Sequence, residues 1–259
     1  ALPPAPDLPL ATLPETLPAR FAIERRALDR ASWLSVRDAA ANRGVSGTAL
    51  VLAAFAAGLR GWSADTQRFS LQLAYPDRKP LHAEAMNTAC EASAAMAVPF
   101  DFSRVTTFGE FMQRTEDAIR ENLSPLLCGG LADDTAADLP TLVFPVAMTS
   151  LLGVRQAYAL PESADPLLGM PTYEYAVQPQ VALHFQVLEE ERELLCNIDE
   201  IAGLFPQGLA ASVFDTVMAI LSKGETAWSL PLEEFARSGA PAEHEASLRA
   251  WLGGLDHGG

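Results

Sequence analysis

No G-x-S-x-G, P-loop, G-x-G-x-x-G or H-E-x-x-H pattern occurs in the 259 residues. The usual marks of a hydrolase elbow, a phosphate cradle, a dinucleotide fold and a zinc protease are therefore missing. Cysteine is scarce: Cys90, Cys128 and Cys196 are odd in number, far apart and without a neighbouring His set. Neither a disulfide framework nor a zinc site is expected, no metal is assigned, and a reducing cytoplasm is the expected setting. Positive charge is also short, with 18 basic against 33 acidic residues and a net charge of −15. That balance excludes nucleic acid and anionic membrane surfaces as expected partners, because both require basic patches. The opening ALPPAPDLPLATLPETLPA has six prolines and no cationic start, so it reads as neither a signal peptide nor a membrane span.

Apolar residues make up 49% of the chain, enough for a substantial core in one large α/β domain or two small ones. Three segments are expected: a proline-rich linker arm over 1–18, extended and lying on or beside a neighbour, a lobe over 19–227, and a peripheral tail over 228–259. Within the lobe, Phe21 and Ile23 suggest a strand. Asp29 is placed to cap a helix over 31–42 that closes at Gly44. A second helix starting near Ser46 and running through LVLAAFAAGLRGW is apolar nearly all round, so it is expected between layers, with Phe55 and Trp62 as packing residues. QRFSLQLAY at 67–75 alternates as a strand and enters a loop rigidified by Pro76 and Pro80, where Arg78 is expected to pin carbonyls. Another strand ends at Asp101, and Thr107 caps an amphipathic helix from Phe108 to about Leu123. After a loop-like stretch to Pro140, TLVFPVAMTSLLG at 141–153 reads as a buried central strand, with Pro145 at a bulge or a non-bonded edge position.

The most informative stretch is 173–199, read as a β-hairpin whose turn is the charged run Glu189–Glu193. Alternation puts Val181, Leu183 and Phe185 on a packed face and His184 and Gln186 on the other. The plainer expectation for that second face is solvent; the sharper one is chemistry. Cys196 reads as a packed thiol rather than a nucleophile. An amphipathic helix over 209–221 follows. The literal D-x-x-x-x-D at 133–138 lies in an Asp- and Ala-rich loop and carries no weight.

The segments LPPAPDLPL, TALVLAAFAAGLRGWS, RFSLQLAYPDRKPLH, TFGEF, FPVAMTSLLG, QPQVALHFQV, NIDEIAGLFPQGL and AWSLPL, in that order over about residues 3–232, resemble the carboxy-terminal half of a heterocyclization (Cy) domain. This is the variant condensation domain of nonribosomal peptide synthetases. The resemblance implies one chloramphenicol-acetyltransferase-like lobe, an α/β sandwich of mixed sheet and flanking helices. Its amino-terminal partner lobe, which carries the family's own D-x-x-x-x-D, has no counterpart here. It also implies a catalytic Thr, which maps onto Thr149, and an Asp in T-P-Q-V-x-L-D-x-Q. Pro179, Gln180, Val181, Leu183 and Gln186 match that pattern, Gln178 stands for its Thr, and His184 stands for its Asp. TACEAS at 88–93 departs from a Gly-Asp-Phe-like turn.

An Asp beside a reacting hydroxyl relays a proton and supplies negative charge; a neutral His supplies none. The expected function is accordingly a truncated, catalytically degenerate half-domain. It would act as scaffold or docking surface for a carrier protein or adjacent synthetase domains. The alternative is an active lobe that condenses or cyclises carrier-bound Cys, Ser or Thr, with an amino-terminal lobe in trans or with itself. It would use His184 as base and a substrate on the carrier's phosphopantetheine arm, with no cofactor bound directly. A stand-alone acetyltransferase is disfavoured by the absence of H-x-x-x-D.

Overall fold

The computed structural model describes residues 2–12, 20–76, 82, 84, 93–123, 145–153, 181–190 and 192–233. Its six strands are β1 (Phe21–Asp29), β2 (Arg68–Pro76), β3 (Ser93–Asp101), β4 (Val146–Ser150), β5 (Leu183–Glu189) and β6 (Glu193–Ile201). They form one sheet in the order β1-β6-β5-β4-β2-β3. The β4 strand runs parallel to both β2 and β5, and the remaining pairs are antiparallel. The sheet is therefore mixed, and β4 is central, as its apolar density predicts. Pro145 stands just before β4, and its carbonyl accepts from the N–H groups of Ala182 and Leu183. The proline thus fixes where β5 starts without interrupting the ladder.

Four helices cover one face: α1 (Arg30–Ala41), α2 (Gly47–Arg60), α3 (Phe108–Asn122) and α4 (Leu209–Ser222). Their starts follow local chemistry. Asp29 accepts from Ser32 N, Ser46 from Ala49 N, and Thr107 forms a reciprocal capping box with Glu110. Gly44, at φ 75°, ends the first helical unit in the left-handed region that glycine adopts without strain. From Ala49 to Arg60 every residue of α2 is buried, because α3 and α4 flank it above the sheet. Phe55 and Trp62 are packing residues, as expected. At the centre Phe185 of β5 lies 4.7 Å from Phe55 and meets Phe214 of α4 edge-on at 5.9 Å between ring centroids.

Two sequence expectations need correction. The arm is not left to a neighbouring domain over its described part. Pro4 O accepts from Ser70 N at 2.7 Å, Pro3 O from the Ser70 hydroxyl, Asp7 O from Ala64 N, and Leu204 O from Ala11 N. Leu8 is buried and joins the lobe's own core, whereas Leu2 and Leu10 stay exposed. The stretch from Trp228 is likewise not peripheral as far as Glu233. Leu232 is 2% exposed and bonds Thr106 O, while Glu233 pairs with the buried, Phe102-stacked Arg60 at 2.7 Å. The expected loops at 124–140 and 154–171, Arg78, and the TACE of TACEAS lie outside the described residues.

Close approach of Gly109 to this closing segment makes a sharp test. A Cβ at Gly109 would sit 2.8 Å from the carbonyl oxygen of Trp228, a backbone atom that cannot rotate away. Gly109→Ala is expected to lower stability by about 1–3 kcal/mol, seen as a drop in urea midpoint at unchanged slope.

Candidate functional site

The face of the sheet turned away from these four helices carries the polar residues. Register alignment sets Thr149 beside Gln186, Ala147 beside His184, His184 opposite Asp199, and Gln186 opposite Asn197. Thr149, His184 and Asp199 thus stand on three adjacent strands, β4, β5 and β6, all turned away from the helices. The Thr149 hydroxyl and His184 Nε2 are 2.8 Å apart. Gln186 Nε2 donates to Asp199 Oδ2 at 2.6 Å. The position of Thr149 is held from the other face. Its neighbour Ser150 bonds the Thr48 hydroxyl of α2 at 2.7 Å, and Leu151 N continues the pairing to Val187 O.

The expectation of a solvated face at His184 and Gln186 is overturned. His184 is 4% exposed and Asp199 5%, and Gln186 is part-buried. The His184 ring nitrogen is engaged by the Thr149 hydroxyl rather than by solvent. The periodicity identifies the two faces, but it cannot tell a covered face from an open one. Within the described residues β5 spans Leu183–Glu189 and β6 runs on to Ile201, while 173–180 lie outside them.

Burial governs the titration of this region. It pushes the His184 imidazole down to about 4, so the ring is neutral at pH 7. In the Nδ1–H tautomer, Nε2 then accepts from Thr149. Burial pushes the Cys196 thiol up to about 12, on the helix face of β6, which leaves it the inert packed thiol expected from sequence.

Glu200, next to Asp199 but on the opposite face, is pushed up to about 7 by burial and then by the negative charge of Glu24 on β1, and its Oε2 has no hydrogen-bond partner among the described residues. A carboxyl raised in the fold above its usual value near 4.5 favours the neutral form. Its stability is full below that value and lost as pH climbs through about 7. Glu200→Gln is expected to raise Tm at pH 8 by the equivalent of about 1 kcal/mol, discounted for partial exposure, and to leave Tm at pH 4 unchanged.

Of the residues proposed from sequence, the structure brings Thr149, His184 and Gln186 together; Gln178, Gln180 and Arg78 lie outside the described residues. Asp199 was missed. In the structure Glu189 faces Leu194 at the end of the hairpin, which sets Asp199 opposite His184; closure at Glu193, as the charged run suggests, would have set Ile198 there. Among the described residues no group of three or more His, Cys, Asp or Glu is placed to hold a metal ion, and no helix is long and apolar enough to cross a membrane.

A mixed six-stranded sheet with helices on one face and a buried polar cluster on the other defines a lobe of the condensation and cyclization type. No family model matches the chain. Pyochelin synthetase PchF of Pseudomonas aeruginosa is 30% identical over 229 residues, covering 86% of this chain and 12% of PchF. Phenyloxazoline synthase MbtB of Mycobacterium tuberculosis is 30% identical over 266 residues, covering 96% of this chain and 18% of MbtB. The chain thus spans less than a fifth of either curated relative. The EpoB NRPS cyclization-docking bidomain from Sorangium cellulosum superposes with a TM-score of 0.72 at 26% identity, over 88% of this chain and 46% of that one. The X-domain from teicoplanin biosynthesis shares the fold, with a TM-score of 0.65 at 20% identity over 89% of this chain and 53% of that one. The chain belongs to the condensation and cyclization domains of nonribosomal peptide synthetases.

Proposed function

We propose that this lobe has lost cyclodehydration and serves a nonribosomal peptide synthetase as a docking surface for a carrier protein or an adjacent domain. The observation that carries the reading is the Thr149–His184 contact at 2.8 Å. At the position where the Cy pattern has Asp, the Thr hydroxyl meets a neutral imidazole instead of a carboxylate. Cyclodehydration expels water from a tetrahedral carbon. It needs a group that both moves a proton and offsets the positive charge that develops on the ring heteroatom. An imidazole held near pKa 4 can accept a hydrogen bond, but it adds no negative charge. The reading places the protein in the cytoplasm, where the carrier's phosphopantetheine arm presents the substrate, and it assigns no cofactor to the lobe itself.

The test is reconstitution with a loaded carrier protein and an amino-terminal condensation lobe supplied in trans. Unaltered protein is expected to bind the carrier and to form no heterocycle by intact mass. His184→Asp is expected to bind the carrier with the same Kd. Heterocycle formation by the unaltered chain, or absence of any carrier or domain binding, would overturn the proposal.

A further inference from the structure

Thr149, His184 and Asp199 lie side by side on β4, β5 and β6, on one face, in the chemical order hydroxyl, imidazole, carboxylate. We infer that they form an acyl-accepting site, with Thr149 as nucleophile, His184 as its base and Asp199 as a positioning residue, acting on small acyl thioesters. The inference goes beyond docking: a site that no longer makes heterocycles retains a different chemistry.

Three observations carry it. The hydroxyl and Nε2 are 2.8 Å apart, within the reach that direct proton transfer requires. Asp199, 5% exposed, sits at the cross-strand position of His184, and its carboxylate is held by Gln186 at 2.6 Å. Asp199 and His184 thus share one face of the β5–β6 pair, where the acid is placed to orient the imidazole. Finally, β4 is anchored by Thr48 through Ser150, so Thr149 is presented from a rigid strand.

The step is balanced without a further reagent. Thr149 Oγ attacks the thioester carbonyl carbon, its proton passes to His184 Nε2, the carbon–sulfur bond breaks, and the leaving thiolate takes the proton. Water activated by the same nitrogen then cleaves the Thr149 ester, which frees the carboxylic acid and restores the hydroxyl.

The full 259-residue chain is incubated with S-acetyl-N-acetylcysteamine at pH 7.5. Thiol release is followed spectrophotometrically, and the protein is mapped by mass spectrometry after an acid quench. Release above the uncatalysed rate is expected, with any trapped acetyl group on Thr149. The isosteric Thr149→Val abolishes release and Thr149→Ser keeps it. His184→Ala slows it by about 100-fold or more. Asp199→Asn lowers kcat by about 10-fold with KM unchanged, a split that a merely structural role would not give. No release from the unaltered chain, or release that survives Thr149→Val, overturns the inference. Either result leaves the docking proposal to its own binding assay.

Discussion

Phe185→Ala is expected to cost about 3–5 kcal/mol of unfolding free energy, whereas Gln186→Ala, one residue along the same strand, is expected to cost about 1–2 kcal/mol. The contrast follows from which way each side chain points. The Phe185 ring is fully buried between Phe55 of α2 and Phe214 of α4, so truncation leaves a cavity walled by two aromatic rings and two helices. Those helices cannot close over it, because α2 and α4 already touch elsewhere. A Cβ at Gly58 of α2 would lie only 3.1 Å from the Val213 carbonyl oxygen of α4. Gln186 instead loses one hydrogen bond to Asp199 and leaves that carboxylate short of a donor. Urea titrations of the two variants decide the matter. A Phe185→Ala midpoint no lower than that of Gln186→Ala would contradict the assignment of the helix-covered face.

How far this arrangement could be read in advance depends on the range of the interaction. Helix starts were legible because capping is local: Asp29, Ser46 and Thr107 each bond a residue within three positions. The packed face of β5 was legible because Leu183, Phe185 and Val187 alternate, and the central place of β4 because its residues are apolar on both faces. The Thr149–His184 contact spans 35 residues and two strands joined in parallel, and register across such a pair leaves no trace in periodicity. A family pattern named the two positions, not their contact. The Asp199–His184 pairing crosses a short hairpin, but alternation does not fix the turn length, and closure at Glu193 instead of Leu194 would have set Ile198 opposite His184. The fastening of the arm at Ser63, Ala64 and Ser70, and of Glu233 at Arg60, depends on chain segments that are distant in sequence, and prolines and acidic residues there look the same as in a free tail.

Acidification is expected to expose His184. Its pKa is pushed down to about 4 by burial, against 6.5 for the free side chain, so the unfolded chain binds a proton more readily than the fold does throughout that interval. Stability linked to this residue is therefore complete above about pH 6.5 and falls as the pH drops towards 4, by up to about 2–3 kcal/mol at 1.4 kcal/mol per unit. The Glu200 dependence has the opposite sign and lies partly in the same window, so the two must be separated by variants. In a Glu200→Gln background the His184 loss should stand alone, and adding His184→Asn, which does not titrate, should flatten the curve between pH 6.5 and 4. The same experiment weighs the substitution at the heart of the site. A carboxyl placed at 184 would enter the surroundings that hold the imidazole neutral, and burial would push it up rather than down. His184→Asp is thus expected to lose stability as the pH rises through its elevated value, the reverse of the unaltered protein. If both proteins show the same slope between pH 4 and 7, burial does not control protonation at position 184 and does not hold His184 neutral.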